Sequence, residues 1–529
     1  MANKRLFQSA ARTPAVADTR NKAGGKAYSV SSEHALAQFA ATGTFSDTFY
    51  ANAKTQLKEF KEIAEKCDSA FIAQLAVYAR HSAFMKDTPA FLLAILTARG
   101  ELDLLKQVFP VVISGGRMLR TYVQMVRSGE AGRKSFGSAP KRLIQQWIQK
   151  RNWDSLFRDN VGNSPSMGDI LRMVHPKPKS VEQNALFAYI AGKPFKMADL
   201  PPLVQQFEAF KKDGVGEVPD LPINMMSSFK LSRPQWREKI LQLPWQAMRM
   251  NLATATRHGV FEGKVGEEAA KRVAEKLSNP ELIEKAKVFP YTLLQAYKFG
   301  TDGLPRVIVD AIHDAMEIST RNVPMLEGGV AVAVDMSGSM CTTLDRDGVE
   351  RGRFWETGRN SSGITLHEIA ALFTSMVLRN NPDSSILQFD TSVKPLKLEP
   401  RDTILTNAKK MVARGGGTSV SAPLVYWNKE MHHAKNVVII SDYESWFDVR
   451  SRGGTAAEDE WLRYKRRVRD AKLFCIDLTP QKTAQVKQRS GVLKIGGFSD
   501  AVFKVMEGFS KGSTSSDYWV DMIKNTPLS

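Results

Sequence analysis

Five residues in the second half of the chain have the oxygen ligands and the spacing of a divalent metal site. Asp335, Ser337 and Ser339 form a D-x-S-x-S motif directly after an apolar run. Thr418 follows three glycines, and Asp442 follows a second apolar run. Carboxylate and hydroxyl oxygens are the hard ligands that Mg²⁺ or Mn²⁺ prefers. These parts together predict such a metal site; the alternative is that Asp335 and Ser337 only cap the next helix.

Alternating strands and helices would position these residues. Apolar runs at 330–334, 385–389, 437–440 and 473–478 read as strands. Helical patterns lie between them at 367–378, 402–412 and 460–472. This alternation predicts a doubly wound α/β domain with a parallel sheet covered on both faces. Ligands of such sheets bind beyond the carboxyl ends of the strands, where the metal motifs fall.

The first part of the chain has a different pattern. From about residue 31 to 320 apolar residues recur at helical spacing, as in Leu57, Phe60, Ile63 and Ala64, with short Pro and Gly breaks and no convincing strand. Stacked helix pairs of this kind indicate an α-solenoid, although no repeat register can be fixed. We therefore predict an N-terminal extension (1–30), an all-α helical-repeat domain (31–325) and the α/β domain (326–529).

The charge of the chain points to a polyanionic partner. The 529 residues carry a net charge of +19. Residues 1–325 hold 46 basic and 31 acidic residues, a net +15, whereas residues 326–529 hold 28 and 24, a net +4. Such an excess is typical of nucleic-acid binding, although some basic proteins use it only for solubility. We expect the polyanion to contact the helical region.

The cysteines and the apolar runs bear on location. Cys67, Cys341 and Cys475 are odd in number, far apart and without a C-x-x-C pair, which favours free thiols in a reducing compartment. The first 20 residues lack the apolar core of a signal peptide, and no apolar run is long enough to span a bilayer. A cytoplasmic protein without membrane contact is expected.

The richest basic block of the helical region is 101–200, with 16 Lys and Arg against 8 Asp and Glu. Arg117 and Arg120 share a helix face by their spacing, and Lys134 follows. Without an RRM or KH signature, such cations would bind the phosphates of a single strand. We predict RNA contacts at these three residues, the alternative for each being a solvated surface cation. The basic run at 463–469 is more typical of a charged face over a sheet.

Four segments resemble the Ro autoantigen (TROVE) family. They are FAATGTF at 39–45, SAPKRLIQQW at 138–147, DILRMVHPKP at 169–178 and FPYTLLQAY at 289–297. The metal motifs, in the same order, resemble the metal-ion-dependent adhesion site of von Willebrand factor A domains. Two segments, 210–235 and 341–364, depart from the family's pattern.

The resemblance implies a ring of HEAT-like helical repeats closed by the A domain. It implies a positively charged hole for the single-stranded end of misfolded RNA, and an outer face for small noncoding Y RNA. It further implies RNA quality control with an exoribonuclease such as polynucleotide phosphorylase, and we expect a monomer. The RNA contacts it carries over are Lys141, Arg142, Arg172, His175 and Lys177; for His175 a helix-capping role is an equal alternative.

We expect no catalytic site. The chain has no G-x-x-x-x-G-K-[ST] phosphate loop, although Asp335 and Asp442 leave metal-assisted phosphodiester cleavage as an alternative. A second alternative is a metal-dependent A-domain adaptor for a AAA+ ATPase, in which the basic helices are incidental. Salt-dependent binding of single-stranded RNA separates the RNA-binding hypothesis from the adaptor.

Overall fold

A computed structural model describes residues 15–43, 45, 51–162, 164–226, 229–286, 290–300, 302–343, 363–413, 415–446, 453–497, 499 and 501–529. Thr44 and Phe289 of the family segments, and most of the 341–364 segment, lie outside these residues.

The described part of 32–318 is helical and contains no strand, as predicted. Its helices are α1 (Ser32–Thr42), α2 (Ala53–Glu65), α3 (Ser69–His81), α4 (Asp87–Arg99), α5 (Leu102–Val112), α6 (Gly116–Ser128), α7 (Ser138–Lys150), α8 (Trp153–Arg158), α9 (Met167–Val174), α10 (Val181–Ile190), α11 (Pro202–Asp213), α12 (Ile223–Met226), α13 (Arg233–Gln242), α14 (Trp245–Met250), α15 (Leu252–Arg257), α16 (Gly263–Leu277), α17 (Pro280–Ala286), α18 (Pro290–Gly300) and α19 (Arg306–Ile318). Neighbouring helices pack on each other along the chain, as α3 does on α4 and α4 on α6. They form one stacked helical array.

The rest of the described chain is an α/β domain. Its helices are α20 (Leu366–Asn380), α21 (Ile404–Lys410), α22 (Ser421–Lys429), α23 (Ala456–Arg467), α24 (Ala501–Gly512) and α25 (Tyr518–Lys524). The strands of the chain are β1 (Thr19–Arg20), β2 (Lys26–Ser29), β3 (Val330–Asp335), β4 (Ser385–Phe389), β5 (Val393–Leu396), β6 (Asn436–Ser441), β7 (Lys472–Asp477), β8 (Thr483–Ala484) and β9 (Val492–Gly496). A six-stranded sheet has the order β5-β4-β3-β6-β7-β9, parallel except for β5.

Alternate residues of the buried strands pack into two different cores. On β3, Val330, Val332 and Val334 belong to a core that is continuous with the helical array and includes α20 and α24. Ala331 and Ala333 belong to a second core with side chains of α22 and α23. The sheet is therefore covered on both faces, and one of those faces joins it to the array.

The α/β domain contacts both ends of the helical array. Strand β9 and helix α25 pack on α1 and α3, while α20 and α21 pack on α18 and α19. At the far end, Arg379 of α20 forms an ion pair of 2.6 Å with Glu317 of α19. A cavity of about 660 Å³ lies where the two ends meet, lined by residues that include Tyr78 of α3, Ile283 of α17 and Met522 of α25. These contacts close the array into the ring that the family resemblance implied.

The N-terminal segment joins the α/β domain. Strand β1 pairs with β2, and β2 pairs with β8 so that Tyr28 lies opposite Ala484. The Tyr28 side chain is buried, and its hydroxyl donates a hydrogen bond of 2.9 Å to the carbonyl of Ala15. Residues 15–29 thus form part of the surface of the second domain.

Four details of the predicted second domain were wrong. The helix expected at 460–472 ends at Arg467, because residues 468–471 turn into β7, and the helix expected at 402–412 shortens to Ile404–Lys410. Strand β5 was missed, because its half-exposed VKPL sequence at the edge of the sheet has no strand pattern. Strand β9 was also missed, because Lys494 interrupts its apolar run.

Candidate functional site

The predicted metal-site residues converge at the carboxyl edge of the sheet. Strands β3 and β6 are parallel neighbours, so Asp335 at the end of β3 lies beside the start of the loop that holds Asp442. The glycine-rich loop joins them, since the Gly338 amide donates a hydrogen bond of 3.1 Å to the carbonyl of Gly416. The five predicted side chains, Asp335, Ser337, Ser339, Thr418 and Asp442, are all buried, with exposures of 0–4%.

Hydrogen bonds fix the Asp335 carboxylate. Its Oδ1 accepts from the Ser337 amide at 2.8 Å, and its Oδ2 accepts from the Ser441 hydroxyl at 2.5 Å. The Ser337 and Ser339 hydroxyl oxygens lie 3.3 Å apart. The Ser337 side chain makes no capping bond to the short 3-10 helix Gly338–Cys341. The hydroxyls therefore face each other rather than a helix end.

Burying the Asp335 and Asp442 carboxylates side by side is unfavourable when both are ionised and no cation lies between them. Burial and then the Asp442 carboxylate raise the pKa of Asp335 to about 7, and burial raises the pKa of Asp442 as well. Among the described residues, neither carboxylate forms an ion pair with a basic side chain. The described residues also contain no cluster of three or more His, Cys, Asp and Glu side chains that could bind a metal without hydroxyl ligands. Two buried carboxylates with converging hydroxyls fit one divalent cation, which must take neutral oxygens for part of its shell.

A third carboxylate at this edge is already neutralised. Lys494 of β9 donates to Asp477 of β7 at 2.6 Å, and both side chains are buried. Burial raises the pKa of Asp477 to about 6, and Lys494 opposes that shift. Neither residue was predicted, because the pair exists only through the pairing of β7 with β9. Asp477 therefore has a basic partner, Lys494, whereas Asp335 and Asp442 have none among the described residues.

An exposed tryptophan lies beside the glycine-rich loop. The Trp446 amide donates to the Thr418 carbonyl at 3.3 Å, and 50% of the Trp446 surface is exposed. A Cβ atom at Gly417 would approach the indole to 2.6 Å, so only glycine fits there. No motif in the sequence pointed to Trp446, because its neighbours in the fold come from another loop.

The structure brings two predicted RNA contacts together on α6. Arg117 is exposed, and Arg120, one turn later, is half-buried with its Nη1 donating to the Asp159 carbonyl at 2.6 Å. Burial lowers the pKa of Arg120; the Asp159 carboxylate opposes this shift, and the nearby positive charge of Arg117 adds to it. The shared helix face predicted from their spacing is therefore present. Lys134 is exposed in the turn after α6, about 20 Å along the helix from Arg117.

A second group lies along α7 and the end of α9. Gln145 of α7 donates to the carbonyls of Val174 and His175, and Gln149 donates to the Lys177 carbonyl at 2.9 Å. Lys141 lies one turn before Gln145 on the same face of α7. The helix thus places Lys141 close to the segment that carries His175 and Lys177. Arg142 is exposed on the adjoining face.

Two members of this group have structural roles of their own. Arg172 forms an ion pair of 2.8 Å with Asp169 and donates to the Ala191 carbonyl at 2.7 Å. His175 ends α9 in the left-handed conformation, with φ of 49°, and its amide donates to Leu171. His175 caps the helix through its backbone, and its side chain is exposed to solvent. The exposed side chain leaves the predicted RNA contact open.

The basic run of α23 is largely engaged within its own domain. Arg463 pairs with Glu460, Lys465 donates to the Ala471 carbonyl at 2.7 Å, and Arg467 donates to the His432 carbonyl. These contacts fit the charged face over a sheet that the sequence favoured. Within the described residues, no helix is both long and apolar enough to cross a bilayer.

Comparisons with known proteins agree on one family. Residues 330–510 match the family model described as the Ro60 vWA domain. A curated relative, the RNA-binding protein RO60 of Deinococcus radiodurans, is 25% identical over 93% of this chain and 95% of its own. The crystal structure of the Ro (RSR) protein of the same organism superposes with a TM-score of 0.61 at 21% identity, covering 91% of this chain and all of that one. The last match shows a shared fold.

Proposed function

We propose that the chain is a member of the Ro family and that it binds RNA through the cations of its helical array. The relative that covers nearly its whole length is named an RNA-binding protein. The single observation that carries the proposal for this chain is the group around α6, where Arg117 and Arg120 share one helix face and the charge of Arg117 lowers the pKa of Arg120. Phosphates are the ligands that such clustered cations favour.

In finer detail, the single-stranded end of a misfolded or structured RNA enters the ring, and Y RNA binds its outer face. The protein acts in RNA quality control and processing in the cytoplasm, as a monomer, with an exoribonuclease such as polynucleotide phosphorylase. Support for this detail is the resemblance to the family together with the ring closure. The cations of α7 and of the end of α9 extend the RNA surface: Lys141, Arg142, Arg172, His175 and Lys177.

We also propose that the sheet edge holds Mg²⁺ or Mn²⁺. Asp335, Ser337, Ser339, Thr418 and Asp442 would be the ligands, because they converge there without a basic side chain between the carboxylates. A bound divalent ion would supply positive charge and a coordination position for a partner's carboxylate. The chain's own contribution is to hold Asp335 through Ser337 and Ser441. The metal serves recognition rather than catalysis.

Filter binding of a labelled single-stranded RNA between 50 and 200 mM salt tests the RNA-binding proposal. Neutralising several phosphates releases counterions, so the affinity should fall by orders of magnitude over this range. A parallel titration with an acidic protein polymer serves as the control for a general charge effect. Failure to retain RNA at low salt would refute the proposal and favour the AAA+ adaptor function.

A further inference from the structure

Four cations come together where α3, α4 and α6 meet. Arg80 lies in the last turn of α3, Lys86 immediately precedes α4, and Arg117 and Arg120 lie in the first two turns of α6. Helix α4 packs against both α3 and α6. The sequence singled out only the α6 pair, because Arg80 and Lys86 join it through tertiary packing.

Hydrogen bonds to neutral groups orient two of these cations. The Arg80 guanidinium donates to the Ser114 hydroxyl from Nη2 at 2.9 Å and from Nε at 3.3 Å. Ser114 lies two residues before α6, so the Arg80 side chain is directed towards the first turn of α6, which carries Arg117. Arg120 is held by the Asp159 carbonyl. Both guanidinium groups keep further N–H donors for a ligand.

The carboxylates near this group neutralise it only in part. The Asp159 carboxylate forms an ion pair of 2.6 Å with Arg151, and Asp87 lies beside Lys86 at the start of α4. Among the described residues, no ion pair involves Arg80, Lys86, Arg117 or Arg120. Burial, followed by the charges of Arg117 and Arg80, lowers the pKa of Lys86. Asp159 raises the pKa of Arg120 and Asp87 raises that of Lys86, so these two carboxylates offset part of the charge. The four cations still outnumber them, and the net positive charge that is left favours an external anion.

We propose that Arg80, Lys86, Arg117 and Arg120 form a phosphate-binding site, occupied by a phosphodiester of the bound RNA strand. This inference rests on the proposed RNA-binding function and gives it a defined anchoring point. Guanidinium groups match phosphate oxygens through paired N–H donors, whereas Lys86 supplies a point charge. The contacts reach only the backbone, so the site holds strands of any sequence.

The test is the double variant Arg80→Gln with Lys86→Gln, which keeps polar side chains of similar reach and removes two charges. Its matched control is Lys264→Gln with Arg272→Gln, which removes one exposed lysine and one exposed arginine from the surface of α16. RNA affinity is measured over a salt series for each protein. We expect the slope of log affinity against log salt to flatten by about 1.4 in the test variant, about 0.7 for each lost contact, and to stay unchanged in the control.

A second measurement uses inorganic phosphate as the probe, without RNA. Phosphate stabilises folded proteins in general, so the gain in melting temperature over chloride of equal ionic strength is compared between variants. The gain should be smaller in the test variant than in wild type and in the control variant. The variant should melt no lower than wild type in chloride, since its repulsion is reduced.

The outcomes separate the site from the proposed function. RNA binding with an unchanged slope in the test variant overturns the phosphate site and leaves the function standing. If wild type binds no RNA but the phosphate effect is present and reduced in the variant, the RNA-binding function fails and the strand is not the ligand. If neither effect is seen, both proposals fail.

Discussion

The indole Nε1 of Trp519 donates a hydrogen bond of 2.9 Å to the hydroxyl of Tyr78. Trp519 belongs to α25 of the α/β domain and Tyr78 to α3 of the helical array, and both side chains are buried. The His34 ring of α1 lies edge-on to the same indole, with ring centroids 5.4 Å apart. The first helices of the array are thus attached to the last helix of the chain, which closes the ring at this end.

Replacing Trp519 by Phe should destabilise the protein by about 1–3 kcal/mol, because the Tyr78 hydroxyl is left buried without its donor. Tyr78→Phe should cost a similar amount, and the double variant should cost clearly less than the sum of the two. Thermal melts provide the measurement, with Trp446→Phe at the half-exposed position as the control. Strict additivity would show that the two residues do not act through their hydrogen bond.

Stability should fall with acid because of His34. Burial, and then the nearby charge of Lys494, lower the pKa of His34 to about 3. The unfolded chain binds a proton near pH 6.5 and the folded chain does not, so stability is lost as pH falls from about 6.5 to about 3. The loss should approach about 1.4 kcal/mol for each pH unit below 6. His34→Gln should reduce the fall in melting temperature between pH 7 and pH 5, whereas His433→Gln, at an exposed position, should leave that fall unchanged. An equal dependence of melting temperature on pH in the two variants would contradict this.

Binding of a divalent metal ion should stabilise the α/β domain. We expect Mn²⁺ to raise the melting temperature of wild type, by the equivalent of about 3 kcal/mol at a hundredfold excess over the dissociation constant. Asp335→Asn should abolish this gain. In metal-free buffer at pH 8 the Asp335→Asn substitution should raise the melting temperature, because it removes one of two buried like charges. Asp402→Asn, at a surface ion pair with Lys410, is the control. A gain that persists in Asp335→Asn would exclude this site.

RNA should remain intact in the presence of Mg²⁺. Asp335 and Asp442 are assigned to the metal, and the buried Glu444 nearby accepts a hydrogen bond of 3.0 Å from the Ala23 amide. The purified protein incubated with labelled RNA and Mg²⁺ is compared with Asp335→Ala on a denaturing gel. Reproducible cleavage that disappears in the variant would establish an enzyme.

The sequence was most informative where local pattern determines position. Asp335 and Asp442 each follow a strand made of continuous apolar residues, and parallel neighbouring strands end at one sheet edge. Their convergence could therefore be predicted without coordinates. The helical nature of the first domain followed equally from its 3.6-residue apolar period.

Contacts between distant segments could not be predicted in the same way. Lys494 looks like a break in an apolar run, yet it neutralises Asp477 on the next strand. Arg80 and Lys86 are ordinary helix-end cations in sequence, and only the packing of α3, α4 and α6 brings them to Arg117. Edge strand β5 is half polar and carries a proline, so its pairing with β4 gives no apolar signal.

The central claim is that cations of the helical array hold RNA, and charge reversal of one adjacent pair tests it most directly. Lys141→Glu with Arg142→Glu on α7 is compared with Lys271→Glu with Arg272→Glu, an adjacent pair of the same residue types on α16. Filter binding of single-stranded RNA is measured beside thermal melts of each protein. We predict at least a tenfold loss of affinity in the α7 variant at an unchanged melting temperature, and little change in the α16 variant. Equal affinity in both variants and wild type would contradict the account.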